Sequence, residues 1–183
     1  MWLLLLSLAF AAPKPPVVSA AEETQLDSRE VVVRTHMDGD TQVVLAIMDV
    51  DATPEATFAA IMDLNARVDE VSSMESVEIY QDTPSRVGAK YVLKLPGFSA
   101  TFHVIYKIDA AQHFAAYAGD PTKENDVNGG AGSYHVVALE DGTSRVYYRV
   151  RVADDGPSWL KSALIQRNLP EQLEGIRARA EAG

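Results

Sequence analysis

Between residues 75 and 153 the chain breaks into six runs in which apolar and polar residues alternate. They are 75–81 (ESVEIYQ), 88–95 (GAKYVLKL), 98–108 (FSATFHVIYKI), 112–118 (QHFAAYA), 132–140 (GSYHVVALE) and 143–153 (TSRVYYRVRVA). Successive side chains of a strand point to opposite faces, so a period of two sustained this long demands strands with one buried face. Most of the breaks are tight turns: Thr83-Pro84-Ser85, Pro96-Gly97, Asp109-Ala110-Ala111 and Asp141-Gly142; the 119–131 loop is longer. Consecutive strands joined this closely form an antiparallel meander, which curls as sheet twist accumulates.

Two further β-rich runs, 30–36 (EVVVRTH) and 41–50 (TQVVLAIMDV), flank Asp38-Gly39, a hairpin signal. The chain then changes period. Thr53 stands at a helix cap and Pro54 at the first helical position, where its missing N–H costs nothing. Phe58, Ile61 and Met62 form the apolar stripe of that short helix, and a second short helix or turn is predicted over 65–72. A long helical segment is predicted over 157–181, with Trp159, Leu160, Ala163, Leu164, Leu169, Leu173 and Ile176 on one face toward the sheet. Pro170 inside it predicts a kink near Asn168-Leu169. The predicted fold is α+β: a curved antiparallel sheet wrapped around a long C-terminal helix, with two short helices after the first main strand.

The N-terminus reads differently. Residues 2–12 (WLLLLSLAFAA) are an apolar run of 11, shorter than the roughly 20 residues a membrane-spanning helix needs. Small residues at Val18/Ala20 and Ser19/Ala21 suit a signal-peptidase site, and Ala9/Ala11 offers an earlier one. No Lys or Arg precedes the run, so the terminal amine supplies the positive charge. Residues 1–21 are accordingly read as a signal peptide and 22–29 (EETQLDSR) as a flexible polar leader, with one domain over 30–183. A periplasmic or secreted location follows as an expectation.

Charge and cysteine content narrow the chemistry. A formal charge of −10 opposes nucleic-acid binding, which requires a basic face. The chain has no cysteine, which removes disulfides, thiolate metal sites and a thiol nucleophile.

The element order resembles the helix-grip fold of the START-like superfamily. The stretches that carry the likeness are 50–64 (VDATPEATFAAIMDL), 75–80 (ESVEIY) followed by Val87-Gly88-Ala89-Lys90-Tyr91, and Gly142-Thr143-Ser144-Arg145-Val146. Leu169-Pro170-Glu171-Gln172-Leu173 with Ile176–Glu181 is similar to the end of the terminal helix in bacterial members of polyketide cyclase/dehydrase or lipid-transport type. Many members place an aromatic–Pro segment after the second helix, where this chain reads ARVDEVSS at 66–73. The resemblance implies a cavity between sheet and helix, and a fold that hosts several functions.

Motifs for other chemistry are absent or explained by turns. None of His36, His103, His113 and His135 forms a helical i, i+4 pair, so they are read as ordinary strand histidines. Asp38/Asp40 and Asp49/Asp51 lack the calcium loop that would follow them, and Asp is common at turns. Gly129-Gly130-Ala131-Gly132-Ser133 precedes a strand, whereas a phosphate cradle opens a helix; it is read as a flexible loop. No catalytic residue, metal or cofactor is assigned.

The alternation places Phe98, Ala100, Phe102, Val104, Tyr106 and Ile108 on one sheet face, and Val146, Tyr148, Val150 and Val152 likewise. The expected ligand site is Phe102, Val104, Tyr106 and Tyr148 on the sheet, closed by Trp159, Leu160 and Leu164 from the helix. Its expected occupant is a lipid, quinone or polyketide-like molecule, held without catalysis. Two alternatives stand: a cyclase/aromatase-type enzyme using Tyr106, Tyr148 or His135 as general acid or base, or an interaction domain with a dry core. Transient membrane contact is a further expectation, and oligomeric state is not determined.

Overall fold

A computed structural model describes residues 12–127, 130–152 and 164–183. It contains one eight-stranded antiparallel sheet: β1 (Val32–Asp38), β2 (Thr41–Val50), β3 (Met74–Thr83), β4 (Arg86–Leu95), β5 (Phe98–Asp109), β6 (Phe114–Gly119), β7 (Ala131–Ala138) and β8 (Ser144–Arg151). The spatial order is β1-β2-β8-β7-β6-β5-β4-β3, so the meander runs back until its last strand meets β2. The predicted hairpin joins β1 to β2, with Asp38 opposite Thr41 and Gly39 at φ +61°, a conformation that glycine adopts at no steric cost.

Helix α2 (Pro54–Met62) starts as its sequence requires. The Thr53 hydroxyl accepts from the Ala56 N–H, and Pro54 fills the first turn. The predicted second short helix is divided: a 3-10 turn at Leu64–Ala66 precedes α3 (Arg67–Glu70). Thr57 of α2 and Ser144 of β8 are both buried, and their hydroxyls share a 2.8 Å hydrogen bond that fixes α2 against the sheet. One strand begins later than its pattern indicated. Residues 110–112 form a 3-10 turn capped by the Asp109 carboxylate, and β6 starts at Phe114 after His113 turns the chain at φ +45°.

The C-terminal helix is interrupted close to the predicted kink. Leu164–Asn168 form a π-helical turn, and α4 (Leu169–Ala182) follows with Pro170 in its first turn. Proline has no N–H to continue the preceding ladder, so the break falls just before it. Leu169, Leu173, Ile176 and Ala180 form the buried face of α4, joining Val44, Met48, Val104 and Val146 of the concave sheet face in one core. The predicted helical residues 157–163 lie outside the described residues.

The leader 22–29 is corrected. Residues Ala20–Asp27 form helix α1, begun by a capping box in which Ser19 accepts from the Glu22 N–H and the Glu22 carboxylate accepts from the Ser19 N–H. Leu26, at 2% exposure, packs with Val32 and Ile47 on the convex face of the sheet. Ion pairs finish the docking. Arg34 holds Glu22 at 2.6 Å, and Arg145 holds both Glu23 and Asp49. The polar composition of 22–29 belongs to a helix that buries one leucine and anchors itself by charge. Among the described residues no helix is long and apolar enough to cross a membrane.

Candidate functional site

The strand register brings aromatic residues from separate turns of the meander onto the concave face. Tyr91 stands opposite Phe102, Tyr106 opposite Tyr117, and Tyr134 opposite Tyr148. The rings pack as pairs: Tyr91 and Phe102 are stacked at 5.2 Å, and Tyr134 and Tyr148 are stacked at 4.2 Å with planes only 3° apart. Each such pair adds about 0.5–1.5 kcal/mol beyond area burial.

Between this face and the C-terminal helix lies a cavity of about 730 Å³. Its walls include Val44, Val71, Leu93, Val150 and Leu169, and five of the chain's seven tyrosines: Tyr91, Tyr106, Tyr117, Tyr134 and Tyr148. A concave, mainly apolar space with a few convergent polar groups is the usual form of a small-molecule site. At one part of its rim the lining becomes polar and exposed, with Lys123, Asn125 and Asp126 of the 119–127 segment and Arg151 of β8. There Asp120 accepts hydrogen bonds from the Tyr80 hydroxyl at 2.8 Å and from the Thr122 hydroxyl at 2.7 Å, which hold the start of that segment against β3.

The phenols are linked to one another. The Tyr91 and Tyr106 hydroxyls are 2.9 Å apart, as are those of Tyr117 and Tyr148. Tyr134 accepts a hydrogen bond from the Gln172 side-chain amide on α4. Burial pushes the pKa of all five phenols upward, because the phenolate would lose its hydration. They therefore act as neutral O–H groups at physiological pH.

Besides Lys123 and Arg151 at the exposed rim, a buried cation reaches the cavity wall. Arg67 of α3 is 3% exposed; it donates to the Glu70 carboxylate at 2.9 Å and to the Ile61 carbonyl at 2.9 Å. Glu70 also meets Arg179 of α4 at 2.6 Å. Burial raises the Glu70 pKa, with the Arg67 charge opposing that shift. Gly175 makes the arrangement possible, since a Cβ there would lie 2.4 Å from the Glu70 side chain. The segment ARVDEVSS, without the aromatic–Pro pattern of many START-like chains, thus places an arginine and Val71 on the wall.

Of the sequence-derived site residues, Phe102, Val104, Tyr106 and Tyr148 line the cavity. Trp159 and Leu160 lie outside the described residues, and Leu164 is the first residue of the π-helical turn. His135 does not line it: its ring packs edge-on against Phe114 at 5.8 Å, while its neighbour Tyr134 points to the concave side. Burial lowers its pKa. Sequence reasoning missed Arg67, Tyr91, Tyr117, Tyr134, Asn168 and Gln172. The available signal for the tyrosines was their in-phase placement on alternating runs. For Arg67 there was none. Among the described residues no cluster of three or more His, Asp or Glu is arranged to hold a metal ion.

Comparison with solved structures shows what this architecture is: the chain has the START-like helix-grip fold. It matches a STAR-related lipid transfer protein fragment from Xanthomonas axonopodis with a TM-score of 0.66 at 15% identity, covering 82% of this chain and 92% of that one. It matches the Zhui aromatase/cyclase from Streptomyces sp. R1128 with a TM-score of 0.64 at 17% identity, covering 77% and 94%. Human STARD10 matches at 0.59 and 14% identity, covering 82% and 69%. No family model matches the chain, and no curated protein matches it in sequence. The structural neighbours include both lipid-transfer proteins and aromatase/cyclases, so the fold is consistent with hydrophobic ligand binding.

Proposed function

We propose that the protein binds a hydrophobic small molecule, of lipid, quinone or polyketide-like character, in the cavity between the concave sheet face and the C-terminal helix, without transforming it. The observation that carries this reading is the cavity of about 730 Å³ with its apolar walls and neutral phenols. Phenols with raised pKa values orient a ligand through hydrogen bonds but are poor bases, which favours holding over proton abstraction. The cyclase/aromatase reading keeps one specific support, the buried Arg67 on the cavity wall, whose charge could polarise a carbonyl; it is already paired with Glu70. Native mass spectrometry of the protein from its host, with analysis of the organic extract, tests the proposal. A co-purifying apolar compound returned unchanged supports it, and an empty protein that converts added polyketide chains overturns it.

Export is part of the same proposal, supported by the apolar run at 2–12. Cleavage after Ala21 would remove Ser19, the cap of α1, whereas the earlier position at Ala9/Ala11 leaves the whole helix in place. N-terminal sequencing from the host distinguishes the two, and an intact Met1 in a cytoplasmic fraction overturns export.

A further inference from the structure

The two edges of the sheet, β1 and β3, are built differently. β3 is broken by register shifts at Met74/Ser76 and Ile79/Gln81 and exposes Glu75, Glu78 and Asp82. Bulges and charges of this kind keep an edge from pairing with another chain. β1 runs in unbroken register with β2 from Val32 to Asp38. Two of its charged side chains are held inside the protomer, Arg34 by Glu22 and Asp38 by Arg151. On the concave side it carries Val33, Thr35 and Met37, the register partners of Ala46, Val44 and Gln42. Val33 is 49% and Met37 61% exposed, and the exposed Val17 gives its carbonyl to Arg34 of the same strand. Three of the four large apolar side chains exposed among the described residues thus gather at this edge. The backbone is also poised there. The Gln42 carbonyl accepts from the Val152 N–H, so Gln42 faces β8, and its neighbours Thr41 and Val43 face β1. Their partners Asp38 and His36 therefore bond β2, while Val33, Thr35 and Met37 aim N–H and C=O outward.

We propose that this edge is the interface of a homodimer, in which β1 of one protomer pairs antiparallel with β1 of its partner about a two-fold axis at Thr35, joining the two sheets. Thr35 is the central residue of Val32–Asp38, so this register overlaps the whole strand. It is also self-complementary, as an isologous contact must be. The apolar–Thr–apolar order of the outward-bonding residues reads alike in both directions. Val33 comes opposite Met37 of the partner subunit at two symmetric places, and Asp38 lies diagonal to the partner's Arg34, an opposite charge within side-chain reach. The inference is independent of ligand binding.

The test is sedimentation velocity of the full chain from about 1 to about 200 µM, where a monomer–dimer equilibrium is expected. Two double variants read the register. Val33→Lys with Met37→Lys sets lysine against lysine across the axis and is expected to weaken the dimer at least about tenfold, although it lowers the net negative charge. Val33→Lys with Met37→Glu sets lysine against glutamate and is expected to keep the dimer within about threefold. Amide exchange followed by NMR gives a second reading in the unaltered chain. The N–H groups of Val33, Thr35 and Met37 should gain protection as concentration rises, while those of Arg34 and His36 keep theirs throughout. A monomer over the whole range overturns the inference, as does equal loss in the two variants. Association that the lysine pair leaves intact also overturns it, since another surface, such as the apolar run 2–12, then carries it. If a variant fails to fold, the amide protection of the unaltered chain decides alone, and no gain at Val33, Thr35 and Met37 overturns the inference.

Discussion

Tyr117 occupies the space that a side chain on Gly132 would need: the two face each other across β6 and β7, and the Tyr117 hydroxyl oxygen lies 2.6 Å from the position of an added Cβ. The Arg149 carbonyl lies closer still, at 2.4 Å. Gly132→Ala is therefore expected to lower stability by about 1–3 kcal/mol through overpacking. Guanidinium unfolding checks this, and an unchanged midpoint would show that the Tyr117 ring lies elsewhere.

Arg67 ties α3 to α2 through the Ile61 carbonyl, and its partner Glu70 meets Arg179 of α4. The Arg67 side chain is 4% exposed and that of Glu70 9%. Breaking a buried pair by removing one partner costs about 3–5 kcal/mol. Arg179 remains beside Glu70, so Arg67→Ala is expected near the lower end, about 3 kcal/mol. Thermal and chemical unfolding should agree, and a loss near zero would place Arg67 in contact with solvent.

Filling the cavity should separate binding from folding. Val104 is only 2% exposed and already packed, so a larger side chain there would strain the core. Val150, half-buried on the same face, borders open space. Val150→Trp is expected to leave the melting temperature within a few degrees while abolishing binding of N-phenyl-1-naphthylamine. A large fall in melting temperature would mean that the space is already filled.

The docking of α1 should depend on acidity. Hydrogen bonds from Arg34 and from Ser19 hold the Glu22 carboxyl down at about 2, against an ordinary value of 4.5. The Arg145 hydrogen bond lowers that of Glu23, against opposition from burial. A carboxyl with a depressed pKa contributes stability above its unfolded value and loses it as the pH falls through the folded one. Amide protection in Ala20–Asp27 should therefore decline between pH 4.5 and about 2. Hydrogen exchange at pH 6 and pH 2.5, corrected for intrinsic rate, reads it. Full protection of α1 at the lower pH would show that Leu26 alone holds the helix.

Local signals in this chain were faithful wherever the backbone was the cause. Asp38-Gly39 made its hairpin, Thr53-Pro54 started α2, and Pro170 broke the terminal helix, because each acts within a few residues of itself. The alternation of Phe102, Val104 and Tyr106, and of Val146, Tyr148 and Val150, chose the concave face for the same reason. Ser19 and Glu22 spell a capping box, yet the helix they begin has one buried apolar residue, too few to show a stripe.

What the sequence determined by itself was therefore the set of strands, their turns and the face each turns to the core, since these follow from steric and hydrophobic rules of short range. The tertiary structure decided which tyrosines meet. Tyr117 reaches Tyr148 only because strand pairing sets Gly132 between them, and Tyr134 finds Gln172 only because α4 lies across the sheet. It also decided the state of Arg67, which a four-residue helix presents as a surface cation until Ile61, Glu70 and Arg179 enclose it. Register and helix docking are sums over many weak contacts distant in sequence, and no local pattern encodes which pair of side chains they will bring within hydrogen-bond reach.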